Sequence, residues 1–282
     1  MKYLDEIANW KSPKTIKEWK ELTKPSIIAV HLTDFHIGAA NALFPPEWID
    51  INGNKVLASP KQLEIYEKYL EAVEIIRAWN PDIGFFTGDM IDGNRSPFRK
   101  VLTLPNDQAH LCAELLRPIV KDLKKTYWVA STPYHDGWDV KYHRMIASLL
   151  GRENDAFTQA DATALITNIC GVRVLVTHKI LNLAQYLQGV AEKEAIFMAA
   201  YNSSSDGPIN MILGGHFHRS IIEERFNVKL AVAPGFQAYY PIKSTAFYGI
   251  RQAELGFHIY AFKEGKVAIF PYTWEAPSFL EY

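Results

Sequence analysis

The sequence predicts an α/β protein with two β-sheets that form a sandwich flanked by helices. Short apolar runs rich in β-forming residues alternate with longer segments whose apolar residues recur at helical spacing. This alternation is typical of βαβ units in a mostly parallel sheet. From Ser220 onward consecutive strand-like runs replace the alternation, which predicts a second sheet at the C-terminal end. Because no linker separates the two parts, we expect them to share one core.

The individual elements follow from the same periodicities. Strands are predicted at residues 26–32, 83–87, 127–130, 172–177 and 210–213. Helices are predicted at residues 60–79, 107–124, 139–150 and 184–201, and Ser59 with Pro60 provides a helix cap and first turn. Hairpin turns are expected at Asn52-Gly53 and at residues 263–266. The lysine-rich residues 1–24 are expected to form a helical extension, which leaves residues 25–282 as a single domain.

Composition restricts the class of protein. A chain of 282 residues with a net charge of −1 is not a generally basic nucleic-acid coat, although a local basic patch is compatible with it. Cys112 and Cys170 are the only cysteines, which favours a reducing compartment over a disulfide framework. The N-terminus has no apolar run of the signal-peptide type, and no run approaches the roughly 20 residues of a membrane span. We therefore expect a soluble, cytoplasmic protein that does not act at a membrane.

A histidine, an aspartate or both follow each of the five predicted strands. The residues concerned are Asp34 and His36, Asp89 and Asp92, His135 and Asp136, His178, and His216 and His218. The carboxyl ends of the strands in an open α/β sheet form one edge, where ligands bind. Asp-x-His and His-x-His also place two side chains on the same side of an extended backbone. We therefore expect these side chains to converge on one metal site.

The types of ligand indicate the chemistry. Imidazole and carboxylate without thiolate suit Mn, Fe or Zn better than Ca or Mg. More ligands are present than one tetrahedral ion needs, which favours two ions about 3.5–4 Å apart with a bridging carboxylate. Such a pair is suited to the hydrolysis of phosphate esters, because it binds phosphoryl oxygens and activates a water molecule.

The five motifs, in this order, resemble the calcineurin-like metallophosphoesterase superfamily. Its pattern is Asp-x-His, Gly-Asp-x-x-Asp, Gly-Asn-His-Asp/Glu, a lone His and Gly-His-x-His, and the resemblance extends from about residue 27 to residue 234. The segments "NPDIGFFTGDMID" (80–92) and "MILGGHFH" (211–218) match it especially well. The resemblance implies a β-sandwich flanked by helices and two divalent ions, with manganese the first choice and iron or zinc as alternatives.

The resemblance also implies a role for each residue. Asp34, His36 and His218 would hold the first metal, Asp89 would bridge, and His178 and His216 would hold the second metal. His135 would act as the general acid at the leaving-group oxygen, with Asp136 orienting it. Asp92 would contact the metal ligands without binding a metal itself.

One position departs from the family pattern. Where the family has the metal-binding Asn of its third motif, this chain has Tyr134, whose neutral phenol is a poor replacement. In the alternative alignment Ser131 and Thr132 occupy the Gly-Asn position with two residues inserted, and Thr132 offers only a hydroxyl. Both alignments predict weaker binding of the second metal.

Two insertions are expected to form the substrate pocket. Residues 39–58 include Trp48, and residues 93–107 include Arg95, Arg99 and Lys100 with Phe98 among them. The cations are suited to holding a phosphate backbone, and Phe98 or Trp48 to stacking on a base. The alternative is a solvated loop. The segment "APGFQAYYPIKS" (233–244) is similar to the DNA-repair nuclease branch of the superfamily.

This similarity favours phosphodiesters, with DNA or a nucleotide as the substrate. A phosphomonoester substrate and a non-catalytic metal-binding scaffold remain the alternatives. The oligomeric state is left open.

Overall fold

A computed structural model of the chain describes residues 13–94, 99–129, 131, 135, 141–157, 164–179, 207–238 and 253–277. The helices in these ranges are α1 (Pro13–Thr23), α2 (Pro60–Trp79), α3 (Pro105–Val120) and α4 (Lys141–Leu149). The strands of the first half are β1 (Ile27–Leu32), β2 (Glu47–Ile49), β3 (Lys55–Leu57), β4 (Ile83–Phe86), β5 (Lys125–Trp128) and β6 (Ala156–Phe157). Those of the second half are β7 (Ala164–Ile169), β8 (Val172–Thr177), β9 (Met211–Gly214), β10 (Ile221–Arg225), β11 (Val228–Val232), β12 (Glu254–Lys263) and β13 (Lys266–Glu275).

The strands form two main sheets. The first sheet has six strands in the order β13-β12-β1-β4-β5-β6, with β1, β4, β5 and β6 parallel and β12 antiparallel to β1. The second sheet has five strands in the order β10-β11-β9-β8-β7, with β8, β9 and β11 parallel. Strands β2 and β3 form a separate hairpin with its turn at residues 50–54.

Alternate residues of the first sheet face two different apolar layers, as the period of a β-strand requires. Ala29, Phe85 and Tyr127 pack between the two sheets against residues of β8 and β9. Val30 and Trp128 face the opposite way and pack with residues of α2, α3 and α4. The predicted two-sheet α/β architecture with flanking helices is therefore confirmed for the described residues.

Local sequence signals explain the best-defined helix. Helix α2 has the predicted bounds, because Ser59 accepts a hydrogen bond from Gln62 N while the Gln62 side chain accepts one from Ser59 N. Asn80 ends the helix in a left-handed conformation, with a φ of 48°. Helix α3 runs from Pro105 to Val120 rather than 107–124, since residues 121–124 form the turn into β5. The predicted helix at 184–201 lies outside the described residues.

The prediction of the strand arrangement was wrong in two respects. Strands β12 and β13 do not form a second sheet with β10 and β11 but extend the first sheet beside β1. Strands β8 and β9, which we expected in the same mostly parallel sheet as β1, β4 and β5, belong to the second sheet. The physical reason is burial: eight of the ten residues of β12 are buried, so this strand needs covering layers on both faces.

The N-terminal helix is packed on the rest of the molecule. Ile16 of α1 is fully buried, and the Trp19 ring lies edge-on to Trp79 and Phe270, with centroid distances of 5.5 Å and 4.8 Å. The domain boundary at residues 24 and 25 stays a prediction. No helix among the described residues is both long enough and apolar enough to cross a lipid bilayer.

Candidate metal centre

The loops that follow β1, β4, β8 and β9 meet at the carboxyl-terminal ends of these strands, where the two sheets are in contact. They contribute the residues of a candidate metal centre, called the metal centre below. These are Asp34 and His36 after β1, Asp89 after β4, His178 after β8, and His216 and His218 after β9. Main-chain hydrogen bonds join the loops, because Asp34 N donates to Gly88 O at 3.0 Å and Gly215 N donates to His178 O at 2.9 Å. The site therefore depends on the contact between both sheets and not on the edge of one.

Three side chains form the first group of possible ligands. Asp34 Oδ1 lies 3.6 Å from His36 Nε2 and 3.5 Å from His218 Nε2. Two donors bound at about 2.1 Å to one tetrahedral ion lie about 3.4 Å apart. The spacing of this group therefore fits a single ion of the Mn, Fe or Zn type.

Asp89, His178 and His216 form the second group, and their ligand atoms lie within 4.8 Å of one another. His178 Nε2 is 3.1 Å from Asp89 Oδ2. The same Asp89 oxygen lies 3.7 Å from His36 Nε2 of the first group. Asp89 is therefore within reach of both groups, which is the position that a bridging carboxylate requires.

Several ligand atoms of the centre are buried and make no hydrogen bond within the described part of the chain. They include Asp34 Oδ1, His36 Nε2 and His178 Nε2. Buried polar atoms without partners are costly, and they are rare unless an ion or water satisfies them. The donor set therefore fits divalent metal ions.

The opposite atoms of three ligand side chains, Asp34, His178 and His218, are held by hydrogen bonds. His178 Nδ1 lies 2.5 Å from Thr87 O, and His218 Nδ1 lies 3.3 Å from Gln237 O. A carbonyl oxygen can only accept, so Nδ1 of each ring carries a proton, and Nε2 of the neutral ring can present its lone pair to a metal. Asp34 Oδ2 likewise accepts from Thr33 Oγ1 at 2.6 Å and from His216 N at 2.8 Å, which leaves Oδ1 for a metal.

The backbone at the ligands differs from the sequence-based expectation. Asp-x-His and His-x-His were expected on extended backbone, and that was wrong. Five of the six proposed ligands have positive φ, with values of 53°, 45°, 49°, 77° and 49° at Asp34, His36, Asp89, His216 and His218. Non-glycine residues adopt this region rarely, and such strained residues cluster at functional sites. The side chains converge because each loop bends directly after its strand.

Glycines make room for Asp34. A Cβ atom on Gly215 would clash with Thr33 Oγ1 and lie 2.5 Å from Asp34 Oδ2. A Cβ atom on Gly235 would lie 2.5 Å from Asp34 O. Any larger residue at either position must displace the Asp34 loop.

The charges of the centre shift the pKa values of its histidines in opposite directions. Burial by itself lowers the pKa of His36, but the carboxylates of Asp34 and Asp92 raise it to about 10. Burial also lowers the pKa of His178, but the Asp89 carboxylate outweighs burial and raises the pKa to about 9. Burial dominates at His216 and His218 and lowers the pKa of each to about 4.

The carboxylates respond to the same charges. Burial by itself raises the pKa of Asp34 and of Asp89, but the neighbouring histidines outweigh it and hold both values below the ordinary range. The metal-free centre is therefore an array of carboxylates neutralised by protonated His36 and His178.

His135 lies at the side of the centre, with a side chain that is 14% exposed. Its Nε2 is 3.9 Å from Asp89 Oδ2, and its ring centroid is 4.5 Å from that of His36. Its Nδ1 lies 3.0 Å from Asp92 O, so the Asp92 carbonyl holds the ring. Asp92 Oδ1 is 3.6 Å from His135 Nδ1, and its Oδ2 pairs with Lys100.

The remaining predicted site residues are placed as follows. Asp136, Thr132, Tyr134 and Arg95 lie outside the described residues. Arg99 is exposed beside the centre, and its main-chain carbonyl accepts a hydrogen bond from Ala40 N. Trp48 is half-buried, and its Nε1 donates to Asp107 Oδ1, so it is part of the protein packing.

Sequence reasoning missed the residues that orient the ligands. Thr33, Thr87 and Gln237 hold Asp34, His178 and His218, and Lys100 is bound to Asp92 instead of facing a phosphate chain. Thr33 directly precedes Asp34, and Thr87 lies two residues before Asp89. This closeness to a ligand is the one sequence signal that could have identified the two threonines as orienting residues. The positions of Gln237 and Lys100 have no signature in the sequence.

No protein-family model matches the chain, and no curated protein matches its sequence. Among solved structures, an archaeal phosphodiesterase matches with 12% identity and a TM-score of 0.46, over 88% of this chain and 100% of that chain. Vps29 of Entamoeba histolytica complexed with zinc matches with 12% identity and a TM-score of 0.44, over 88% and 92%. A predicted phosphoesterase of Streptococcus pneumoniae matches with 10% identity and a TM-score of 0.35, over 88% and 98%.

The names of these proteins state a phosphodiesterase, a zinc complex of Vps29 and a predicted phosphoesterase. At such identities and TM-scores, the activity and the metal that their names state are properties of those proteins. The DNA-repair branch is not among these matches and stays a prediction.

Proposed function

We propose that this protein is a calcineurin-like metallophosphoesterase that uses two divalent metal ions to hydrolyse phosphodiesters. The observation that supports this function is the pair of buried ligand groups that share Asp89. Asp34 Oδ1 and His178 Nε2 lack hydrogen-bond partners in the described part of the chain, while the opposite atom of each side chain is held by the protein. This arrangement is suited to metal binding.

The proposed ligands follow the two groups. Asp34, His36 and His218 hold one ion, His178 and His216 hold the other, and Asp89 lies between them. Manganese is our first choice, with iron or zinc as alternatives. Two ions bound in this way bind the phosphoryl oxygens and make a water molecule nucleophilic near neutral pH.

His135 is the proposed general acid. The Asp92 carbonyl fixes its ring through Nδ1, which leaves Nε2 on the partly exposed side of the centre. From there Nε2 can donate a proton to the oxygen of the leaving alcohol. Lys100 neutralises Asp92 and so keeps this support in place. Asp136 is proposed as a second residue that orients His135.

The second metal is proposed to bind more weakly than the first. The amide ligand of the family pattern is replaced by Tyr134, or by Thr132 in the alternative alignment. A titration of the metal-free protein with manganese is therefore expected to show one tight and one weaker site. Two sites of equal affinity would contradict this.

Phosphodiesters of DNA or of nucleotides are the proposed substrates, with Arg95 and Arg99 contacting the phosphate chain. The support is the position of the exposed Arg99 in the segment that follows Asp89 and Asp92. Hydrolysis of a phosphomonoester is the second candidate. A metal-binding scaffold without turnover is the third, and the presence of His135 beside all six proposed metal-binding side chains speaks against it.

One assay separates the three candidates. The protein is loaded with manganese, and its turnover is measured on a generic diester, a generic monoester and single-stranded DNA. We expect faster turnover of the diester and of DNA, and an Asp89→Asn variant to lose at least about a hundredfold in rate. Undiminished activity of that variant would contradict the two-metal assignment, and bound metal without turnover on any substrate would favour the scaffold.

A further inference from the structure

A chain of hydrogen bonds runs between the two sheets beneath the metal centre. His31 Nε2 lies 2.7 Å from Thr87 Oγ1, and His31 Nδ1 lies 2.8 Å from the Tyr260 hydroxyl. The same hydroxyl lies 3.3 Å from His258 Nδ1, and His258 Nε2 lies 2.8 Å from Ser220 Oγ. We call these five residues, Thr87, His31, Tyr260, His258 and Ser220, the inner polar network.

The three central side chains are fully buried and uncharged. Burial lowers the pKa of His31 to about 3, lowers that of His258 well below its ordinary value, and raises that of Tyr260 well above its own. A neutral imidazole has one N–H donor and one acceptor nitrogen, and a phenol donates once. The four hydrogen bonds can therefore form without leaving the Tyr260 O–H donor unpaired only if all of them point in one direction along the chain.

This requirement makes the network cooperative. Tyr260 can donate to one histidine only while it accepts from the other, so each bond fixes the direction of the next. In a medium of low dielectric constant such chains strengthen each other, and a missing member leaves its neighbours buried without a partner.

Both ends of the network are attached to loops that hold proposed metal ligands. At one end, Thr87 precedes Gly88 and Asp89, and the Thr87 carbonyl oxygen accepts a hydrogen bond from His178 Nδ1. At the other end, Ser220 follows His218 by two residues, and Ser220 N donates to Glu254 Oε2. Glu254 N in turn donates to His218 O at 2.8 Å. The network therefore spans from the first sheet to the ligand loop of the second sheet.

We propose that Tyr260, with His31 and His258, acts as a set of positioning residues that fixes the Thr87 loop relative to the His218 loop. The two groups of ligands come from different sheets, so their spacing depends on the relative placement of those sheets. The network is a directional connection between them, whereas the apolar contacts around it are non-directional. The effect on metal binding rests on the proposed metal centre, while the coupling of the loops does not.

The first test is a metal titration of Tyr260→Phe. Tyr272→Phe is the matched control, because it also removes a buried hydroxyl, the acceptor of Trp79 Nε1 at 2.7 Å, from the neighbouring strand β13. Loss of a group that orients metal ligands lowers metal affinity by about 10- to 100-fold. We expect a loss of about tenfold in manganese affinity for Tyr260→Phe and no change for Tyr272→Phe. Equal affinities of the two variants would overturn the proposal.

The second test needs no metal. Amide hydrogen exchange is measured on the metal-free proteins at Gly215, which bonds to His178 O, and at Glu254, which bonds to His218 O. Removal of one buried hydrogen bond is expected to speed exchange at both amides about tenfold in Tyr260→Phe. Unchanged exchange at either amide, or the same acceleration in Tyr272→Phe, would overturn the coupling.

The two tests also separate this inference from the proposed function. If the wild-type protein bound no manganese, the proposed function would fail, and the exchange experiment would still decide whether the network couples the loops. If the wild-type protein bound manganese and Tyr260→Phe bound it equally well, only the positioning role would fail.

Discussion

The metal centre and the inner polar network are neighbouring buried clusters of histidine that use their hydrogen-bonding capacity in opposite ways. In the metal centre, His36 Nε2 and His178 Nε2 have no hydrogen-bond partner among the described residues. In the network, both ring nitrogens of His31 and of His258 have one. A buried ring nitrogen without a hydrogen-bond partner indicates a place for a ligand. A buried histidine with partners on both ring nitrogens indicates a positioning role instead.

The backbone shows the same contrast. His31 and His258 are opposite each other in the regular antiparallel pairing of β1 with β12. His36 and His218 have positive φ in loops beyond the strand ends. The strain of the second pair is tolerated because the surrounding loops fix it, and it aims the side chains at a common point.

The largest expected effect comes from crowding the metal centre with Gly215→Ala. The added Cβ would lie 2.5 Å from Asp34 Oδ2, so Asp34 or Thr33 must move. We expect the free energy of unfolding to fall by about 3 kcal/mol and manganese affinity to fall at least about tenfold. Urea unfolding and a metal titration measure the two quantities.

The matched control for this substitution is Gly53→Ala in the β2–β3 turn. A Cβ there would meet nothing within 4 Å, although its φ of +84° still disfavours alanine. We expect a loss of about 1 kcal/mol in stability and unchanged metal affinity. An unchanged metal affinity in Gly215→Ala would show that the Asp34 loop can relax without cost to the site.

An intermediate effect is expected from pH. The pKa values of His36 and His178 are raised, whereas those of the network histidines and of His216 and His218 are lowered. His36 and His178 have folded pKa values of about 10 and about 9, above the ordinary 6.5. Their contribution to the stability of the metal-free protein is therefore present below about pH 6.5 and is lost as the pH rises through about 9 to 10.

The network histidines behave in the reverse way. The folded pKa of His31 is about 3 and that of His258 is also lowered, so their contribution is present above about pH 6.5 and is lost as the pH falls below it. His216 and His218 add to this loss at low pH. The free energy of unfolding of the metal-free protein, measured with urea from pH 4 to about pH 10, is expected to pass through a maximum between the loss at low pH and the loss at high pH. A flat profile would contradict both assignments.

The smallest effect is expected from Arg99→Ala, which alters neither cluster. One exposed cation near a phosphate chain contributes about 0.5–1 kcal/mol, so KM for single-stranded DNA should rise about threefold and should depend less on salt. A small diester should be hydrolysed as before. Lys124→Ala, at the opposite end of the first sheet beside Asp82, is the control and should leave both substrates unaffected.

The parts of the fold with strong local signals were predictable from the sequence. Helix α2 has its predicted bounds because Ser59, Pro60 and Asn80 mark its ends by local hydrogen bonding and backbone preference. The turn between β12 and β13 was recognised from Glu264-Gly265 for the same reason. The family resemblance implied that Asp34, His36 and His218 hold one metal and that His178 and His216 hold a second, with Asp89 bridging. The structure brings these side chains together in two groups, and His36, Asp89 and His135 form a third. The role of these residues as metal ligands stays a prediction.

The parts that depend on long-range contacts were not predictable. Pairing of β12 with β1 joins Ile27 to Phe262 across the length of the chain, and no local pattern encodes that choice. The ion pair of Lys100 with Asp92 likewise depends on how the segment after Asp89 folds back. His31 and His36 are the same residue type five positions apart, so only their surroundings distinguish a positioning residue from a ligand.

The sequence by itself determined which residue types stand at the ends of which strands, and therefore the kind of chemistry that this protein is built for. The tertiary structure decided that these ends come from two sheets, which atoms of each side chain remain available for a metal, and which histidines are already satisfied. The physical reason is that residue type and local periodicity are properties of the chain, while burial and hydrogen-bond partners arise only when distant segments meet.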